Sequence, residues 1–227
     1  IVNNFSLSFQ AHNQPLTPAK ARTISGVDKI PFEPSVVFGC GAIGSKIVMH
    51  LARSGQTALT LLDPDGLSPH NLVRHALGAE YIGSNKAYAL AESIKKMFMG
   101  EAADIFVWHY LLNEGIFENP ETFIKFRYLL DCTASESFFN KIVMAHNITG
   151  PSVFSCSISD FGNLGIVYKE GLNRNPRLDD LQVVLHSKYN EDKHISSWLI
   201  REQQAFTNNN LTVQVGVGCN SETTVLS

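Results

Sequence analysis

Asp63, Asp65, Asn71 and Arg74 share one short stretch, LLDPDGLSPHNLVRH (61–75), and Lys86 and Asp131 follow downstream. Residues of these types are what a polyphosphate ester needs. Carboxylates accept hydrogen bonds from ribose hydroxyls, cations offset phosphate charge, and a further carboxylate can ligate a divalent metal. Just upstream, Gly39-Cys40-Gly41-Ala42-Ile43-Gly44 spells G-x-G-x-x-G. The first glycine of such a loop permits the tight turn, the second lets the backbone approach a phosphate, and the third lets helix and strand pack closely. The phosphate then rests on the free N–H groups of the helix N-terminus. Asp63 stands 63 − 44 = 19 residues past the third glycine, the place of a ribose-binding acid.

The glycines and Asp63 suit NAD and ATP equally. The residues after them separate the two. An NAD-dependent oxidoreductase leaves Asp65, Asn71, Arg74 and Lys86 without work, whereas a triphosphate needs cations to stabilise its charge. Solvated surface charge is the competing reading for Arg74 and Lys86. Asp131 ends the run YLLD before CTAS. Beside a triphosphate it is a natural Mg²⁺ ligand; the competing reading is a helix N-cap, a task for which Ser135 is also suited.

These residues require elements to position them. SVVFGC and ALTLLD read as buried strands, with the helix AIGSKIVMHLARSG between them closed by Gly55. SNKAYALAESIKKMFM is a second helix, DIFVWHYLL a third strand, FRYLLDCTAS a fourth strand, and SESFFNKIVMAHN another helix. The alternation predicts an α/β, Rossmann-like, mostly parallel sheet with helices on both faces. After Gly150 the rhythm changes. PSVFSCSISDFGNLGIVYKEG reads as a strand, a Gly-Asn turn and a returning strand, an antiparallel C-terminal extension. DDLQVVLHSKYN and LTVQVGVG add short elements, and REQQAFTNNNL between them reads as a mobile loop. Residues 1–34 read as an arm or the tail of a preceding domain, and 35–227 as the nucleotide-binding domain, cut short at its C-terminus.

Composition bounds the function. At 227 residues, 44% apolar and 17% charged, the chain describes a globular protein with a core that needs no staples. A net charge of −3 supplies no basic field for nucleic acid. No apolar run approaches the roughly 20 residues that span a bilayer. Cys40, Cys132, Cys156 and Cys219 form no Cys-x-x-Cys pair, which excludes a zinc site built from two such pairs and fits a reducing cytoplasm. His75 adjoins Arg74 but reads as a core or surface histidine. No G-x-S-x-G elbow or H-E-x-x-H helix supports a hydrolase.

The ordered set GCGAIG, DPD, NLVRH, GSNKA and DCTAS resembles the adenylation domain of the E1-like superfamily, to which ubiquitin-activating enzymes and the bacterial ThiF and MoeB proteins belong. The resemblance covers about residues 35 to 170. It implies ATP-dependent adenylation of the C-terminal carboxylate of a ubiquitin-like or target protein. Gly39, Gly41 and Gly44 would form the phosphate loop, with Asp63 on the ribose and Asp65 beside it. Asn71, Arg74 and Lys86 would contact phosphates, and Asp131 would hold Mg²⁺. It also implies pairing with a second copy. A non-catalytic E1-like scaffold is the rival within the same family.

Three departures accompany the resemblance. Arg74-His75 stands where members often read Arg-Gln, Ala134 stands where Asp often follows the Thr, and zinc cysteines are absent. The arm-like helix whose Arg reaches a partner's ATP has Arg22 as its one candidate. These features, with the ending GCNSETT, resemble bacterial E1 domains fused to E2-like or JAB-like domains, such as those of antiphage CBASS operons. Cys219 is the candidate for a thioester step, on the expectation that a helix starting just after it lowers its pKa; a small buried hydrophobe is the alternative.

Overall fold

The computed structural model describes residues 15–31, 33–99, 105–107, 114–146, 148–207, 212–215 and 222–225. β1 (Ser35–Phe38) is buried along its whole length. Its side chains alternate between two cores. Val37 lies with Leu59, Leu61, Val48 and Leu90, while Val36 and Phe38 lie with Leu62, Leu129, Phe138 and Ile142. A strand apolar on both faces must be covered on both, which is the signature of a parallel sheet.

β1 is flanked by β2 (Leu59–Leu62) and β4 (Tyr128–Asp131), both parallel to it. β3 (Ile105–Val107) extends the sheet beyond β2, and β5 (Ser152–Ser159) extends it beyond β4. β6 (Leu164–Lys169) returns antiparallel to β5, giving the order β3-β2-β1-β4-β5-β6. The expected α/β class and its antiparallel extension are therefore what the chain forms. Thr212–Val215 and Glu222–Val225 pair antiparallel as β7 and β8.

Helix α2 (Ala42–Arg53) buries Gly44, Ser45, Val48, Met49 and Ala52, a stripe at helical spacing. α3 (Lys86–Met97) covers the same face with Ala87, Leu90, Ala91 and Ile94. α4 (Glu136–Met144) covers the opposite face with Phe138 and Ile142, joined there by Leu178 at the start of α5 (Leu178–Ser187). No helix among the described residues is long and apolar enough to cross a membrane.

Two regions differ from the sequence reading. Within the segment expected to be an arm, Thr17 caps and Pro18 opens a helix, α1 (Pro18–Ile24), whose Ala21 is buried in the α2–α3 core. α1 seats on the turn after α2, where Gly55 has φ +81° and a Cβ would fall 2.3 Å from the Pro18 carbonyl oxygen. REQQAFTNNNL, read as a mobile loop, is helical through Thr207, as part of α6 (Lys193–Thr207). Its Arg, Glu, Gln and Ala are good helix formers. Docking supplies the rest: Trp198 is buried, and Arg201 forks onto both carboxylate oxygens of Asp160.

Candidate nucleotide site

The strand order reverses between β1 and β4, and the crevice outside their carboxyl ends is the ligand position of an open α/β sheet. The glycine loop lines it. Gly39 has φ +82°, and a Cβ there would lie 2.7 Å from the backbone of Cys132 and Thr133, so the turns after β1 and β4 touch. A Cβ on Gly44 would stand 1.9 Å from the Gly39 carbonyl oxygen, so α2 enters directly against the strand it follows. Gly41 caps α2 without a side-chain acceptor, which leaves the first N–H groups for an anion.

Asp63 follows β2 and is nearly buried. Its Oδ2 accepts from the Cys40 amide at 2.6 Å and its Oδ1 from the Asp65 amide at 2.8 Å. Burial pushes the carboxyl above its usual range, opposed by the Asp65 amide, Lys86 and the Cys40 amide. Each oxygen retains a lone pair for a further donor such as a ribose hydroxyl. Asn85, the N-cap of α3, donates its side-chain amide to the carbonyls of Asp63 (2.7 Å) and Asp65 (3.2 Å). That ties α3 to the Asp-Pro-Asp loop and brings Lys86 to it. Lys86 is 2% exposed, with Nζ 3.4 Å from Asp65 Oδ2, while the Asp65 side chain is half exposed.

Asn71 sits in a 3₁₀ turn (Pro69–Val73), buried, its Oδ1 accepting from the Ser68 amide at 2.9 Å. Arg74 closes that turn and is exposed. Asp131, at the end of β4, is 2% exposed. Its Oδ1 accepts from the Thr133 amide (3.0 Å) and hydroxyl (2.7 Å), and its Oδ2 from Ser155 Oγ (3.2 Å). Burial raises its pKa, partly offset by the Thr133 and Ser155 bonds. Ser135 caps α4 by accepting from the Phe138 amide, so Asp131 is not the cap.

A single carboxylate beside two hydroxyl groups is a hard-oxygen set. It suits Mg²⁺, which one or two carboxylates hold while phosphate oxygens and water complete the octahedron. No cluster of three or more His, Cys, Asp or Glu side chains forms a metal cage among the described residues. The residues present therefore fit a metal that arrives with a phosphate ligand.

Three contributors were not singled out in the sequence, Ser45, Asn85 and Ser155, and a fourth, His75, was read there as a core or surface histidine. His75 is buried, with Nε2 2.8 Å from the Cys40 carbonyl oxygen and Nδ1 3.1 Å from the Leu77 amide. Ser45 Oγ accepts from the Ala76 amide at 3.1 Å, which ties α2 to the segment that His75 ties to the glycine loop. Only Asn85 carried a readable signal, an Asn directly before a helical pattern.

The remaining sequence candidates are placed as follows. Cys40, Cys132 and Cys156 are buried free thiols. Burial and the Asp63 carboxylate push Cys40 up, and Cys132 holds its proton through its hydrogen bond to Cys156 and burial. Arg22 donates to the carbonyls of Val27 and Ile30 on its own chain. Cys219 lies outside the described residues. Residues 222–225, which a helix opening after Cys219 would include, are strand β8.

The ThiF family model matches residues 20–148, more than half of the chain. A 158-residue segment is 26% identical to the ATP-dependent ubiquitin transferase-like protein Cap2 of Enterobacter hormaechei, covering 63% of this chain and 26% of that protein. An 85-residue segment is 39% identical to Cap2 of Pseudomonas aeruginosa, covering 34% of this chain and 16% of that protein. This chain thus spans about a quarter or less of the length of these relatives. Among solved structures, Escherichia coli MccB with ATP superimposes with a TM-score of 0.52 at 18% identity, over 63% of this chain and 42% of that one. That likeness supports the fold.

Proposed function

This chain belongs to the ThiF family, and from that premise we propose that it binds Mg·ATP and adenylates the C-terminal carboxylate of a protein or peptide. The observation that supports the reading is the placement of buried Asp63 and Asp131 at the carboxyl ends of β2 and β4, on either side of β1, with buried Lys86 held against the Asp-Pro-Asp loop. Two carboxylates and an ammonium beside a helix N-terminus that has no side-chain cap are the charges and donors that suit a polyphosphate with its metal.

In this reading a carboxylate oxygen attacks the α-phosphorus of ATP, the bond from that phosphorus to the bridging oxygen breaks, and pyrophosphate leaves with the electron pair. The product is an acyl-adenylate. No side chain acts as a nucleophile, so the protein contributes alignment and charge stabilisation. Asp63 orients the ribose, and the Gly41–Gly44 amides receive the phosphate. Lys86 and the exposed Arg74 stabilise charge on the departing pyrophosphate, with Asn71 as a neutral donor. Asp131 would hold Mg²⁺, which would supply further charge neutralisation.

The relatives named ubiquitin transferase-like support a protein carboxylate as the acceptor. A thioester step on Cys219, a paired second copy and fused E2-like or JAB-like domains extend the same proposal to the longer protein. ATP–pyrophosphate exchange tests its first step. Incorporation of labelled pyrophosphate into ATP, dependent on a C-terminal carboxylate substrate and lost in Arg74→Ala, is expected. Stabilisation by NAD⁺ in place of Mg·ATP overturns it.

A further inference from the structure

We propose that His75, as the neutral Nε2–H tautomer, is a positioning residue that sets the glycine loop for the nucleotide, and that protonating it releases the loop. Only the nucleotide-binding consequence rests on the adenylation reading; the latch itself is a property of the ligand-free chain.

The tautomer follows from the two hydrogen bonds. Leu77 N–H is a donor, so Nδ1 must accept and carry no proton. The single ring proton then sits on Nε2, where the Cys40 carbonyl oxygen is the acceptor at 2.8 Å. Cys40 is the residue between the first two glycines of the loop. Its amide N–H is held by Asp63 and its carbonyl by His75, so its backbone is clamped from both sides. Through Cys40 the orientation of the Gly41–Gly44 amides depends on the segment that carries Asn71 and Arg74.

A second proton has no acceptable place. It would sit on Nδ1 facing the Leu77 N–H, donor against donor, and the new charge would be buried. The charged groups around the ring push the same way. Burial, Lys86 of α3 and Lys46 of α2 all favour the neutral ring, against the Cys40 carbonyl, which favours the charged one. Asp63 reaches the ring's neighbourhood only through the Cys40 amide on the far side of that residue. The alternative to breaking the Leu77 bond is to turn the ring, which gives up the Cys40 carbonyl.

Glutamine separates geometry from titration. Its side chain offers one N–H donor and one carbonyl acceptor, as neutral imidazole does, and does not ionise in this range. The experiment uses the 227-residue chain as wild type, His75→Ala and His75→Gln. Imidazole ¹⁵N spectra give the tautomer, hydrogen-exchange protection of the Cys40–Gly44 amides reads the loop, and calorimetry with Mg·ATP reads binding from about pH 7.5 down to about pH 4.5, because burial and the two lysines lower the His75 pKa from the ordinary histidine range.

The expected result is the Nε2–H tautomer, and loop protection that falls with acid in wild type but not in His75→Gln. Mg·ATP binding should weaken about tenfold more in wild type than in His75→Gln over that range, the worth of about one hydrogen bond. His75→Ala should weaken binding by a similar factor at the higher pH, with His75→Gln recovering most of it. An Nδ1–H tautomer, or wild type and His75→Gln sharing one acid profile, overturns the proposal. If wild type binds no Mg·ATP while loop protection still follows His75, the latch stands and the adenylation reading falls. If Mg·ATP binds and protection ignores residue 75, the latch falls and adenylation stands.

Discussion

The Cys40 amide N–H donates to Asp63 Oδ2 across 2.6 Å, so the acid expected to hold a ribose also fastens the glycine loop to the end of β2. With the Asp65 amide on Oδ1, both carboxylate oxygens face backbone donors. An Asn at position 63 can turn its carbonyl to only one of them and sets an –NH₂ against the other. Asp63→Asn is therefore expected to lose roughly 1–3 kcal/mol of stability, the cost of a buried donor left without an acceptor, along with nucleotide binding. Urea denaturation of the ligand-free chain checks it. A variant as stable as wild type would show that the loop does not depend on this bond.

Asp131 predicts the opposite sign from the same substitution. Its neighbours are mostly hydroxyls, which donate or accept as required. An Asn can accept from Thr133 and donate to Ser155, keeping the geometry without a buried charge. Because burial raises the Asp131 pKa in the folded state, the linkage runs as follows. Below the unfolded value near 3.9 the group is protonated in both states and costs nothing; as pH rises through the folded value, the native carboxyl must ionise while buried and stability is lost. Asp131→Asn should therefore melt higher than wild type at pH 7.5, converge with it near pH 4, and lose Mg²⁺-dependent activity. Melting curves at the two pH values decide it; a variant that melts lower at neutral pH contradicts the account.

Arg74 and Lys86 were given the same task in the sequence, but the fold sets them in different surroundings. Arg74 is exposed and Lys86 is 2% exposed at the start of α3. Arg74→Ala should change stability by less than about 0.5 kcal/mol, as surface substitutions do, while lowering adenylation roughly 10²- to 10³-fold. Lys86→Met keeps the buried stem and removes the ammonium. Asp65 is left to water, but buried Asp63 loses a cation that favours its ionised form, so stability should fall along with activity, the activity by a similar factor. Denaturation midpoints and pyrophosphate exchange on both variants test the pair. Activity surviving in both would remove these cations from the nucleotide site.

Much of this architecture was legible because it is dictated by nearby residues. The Val36–Phe38 run has to be covered on both faces, and the glycine spacing fixes a strand–turn–helix. What escaped was set by partners distant in sequence. His75 is tied to Cys40, Ser155 to Asp131 and Ser45 to Ala76, each across 24 residues or more. No local pattern marks such bonds. The 201–207 segment failed for a related reason. Its polar residues lack an apolar stripe, and among its contacts is Arg201 reaching Asp160, 41 positions away. Pattern reading finds elements that bury apolar faces and misses those fastened by polar contacts distant in sequence.

The glycines separate in the same way, by what surrounds them. Gly44 and Gly165 are one letter in the sequence, yet a methyl on Gly44 would stand 1.9 Å from the Gly39 carbonyl oxygen, whereas nothing lies within 4 Å of one on Gly165. The Gly44 clash is with backbone, which cannot swing aside, so the helix would have to retreat from the strand. Gly44→Ala should cost roughly 1–3 kcal/mol or more, as overpacking does, and should displace the Gly41–Gly44 amides from the position in which they are proposed to receive phosphate. Gly165→Ala on β6 should be neutral or stabilising by about 0.4–1 kcal/mol through the unfolded chain. Urea midpoints for the two variants, with Mg·ATP titrated into each, give the comparison. A Gly44→Ala chain that keeps both stability and nucleotide affinity would mean that α2 can move off β1 without disturbing the loop, and the close helix–strand approach would lose its place in the site.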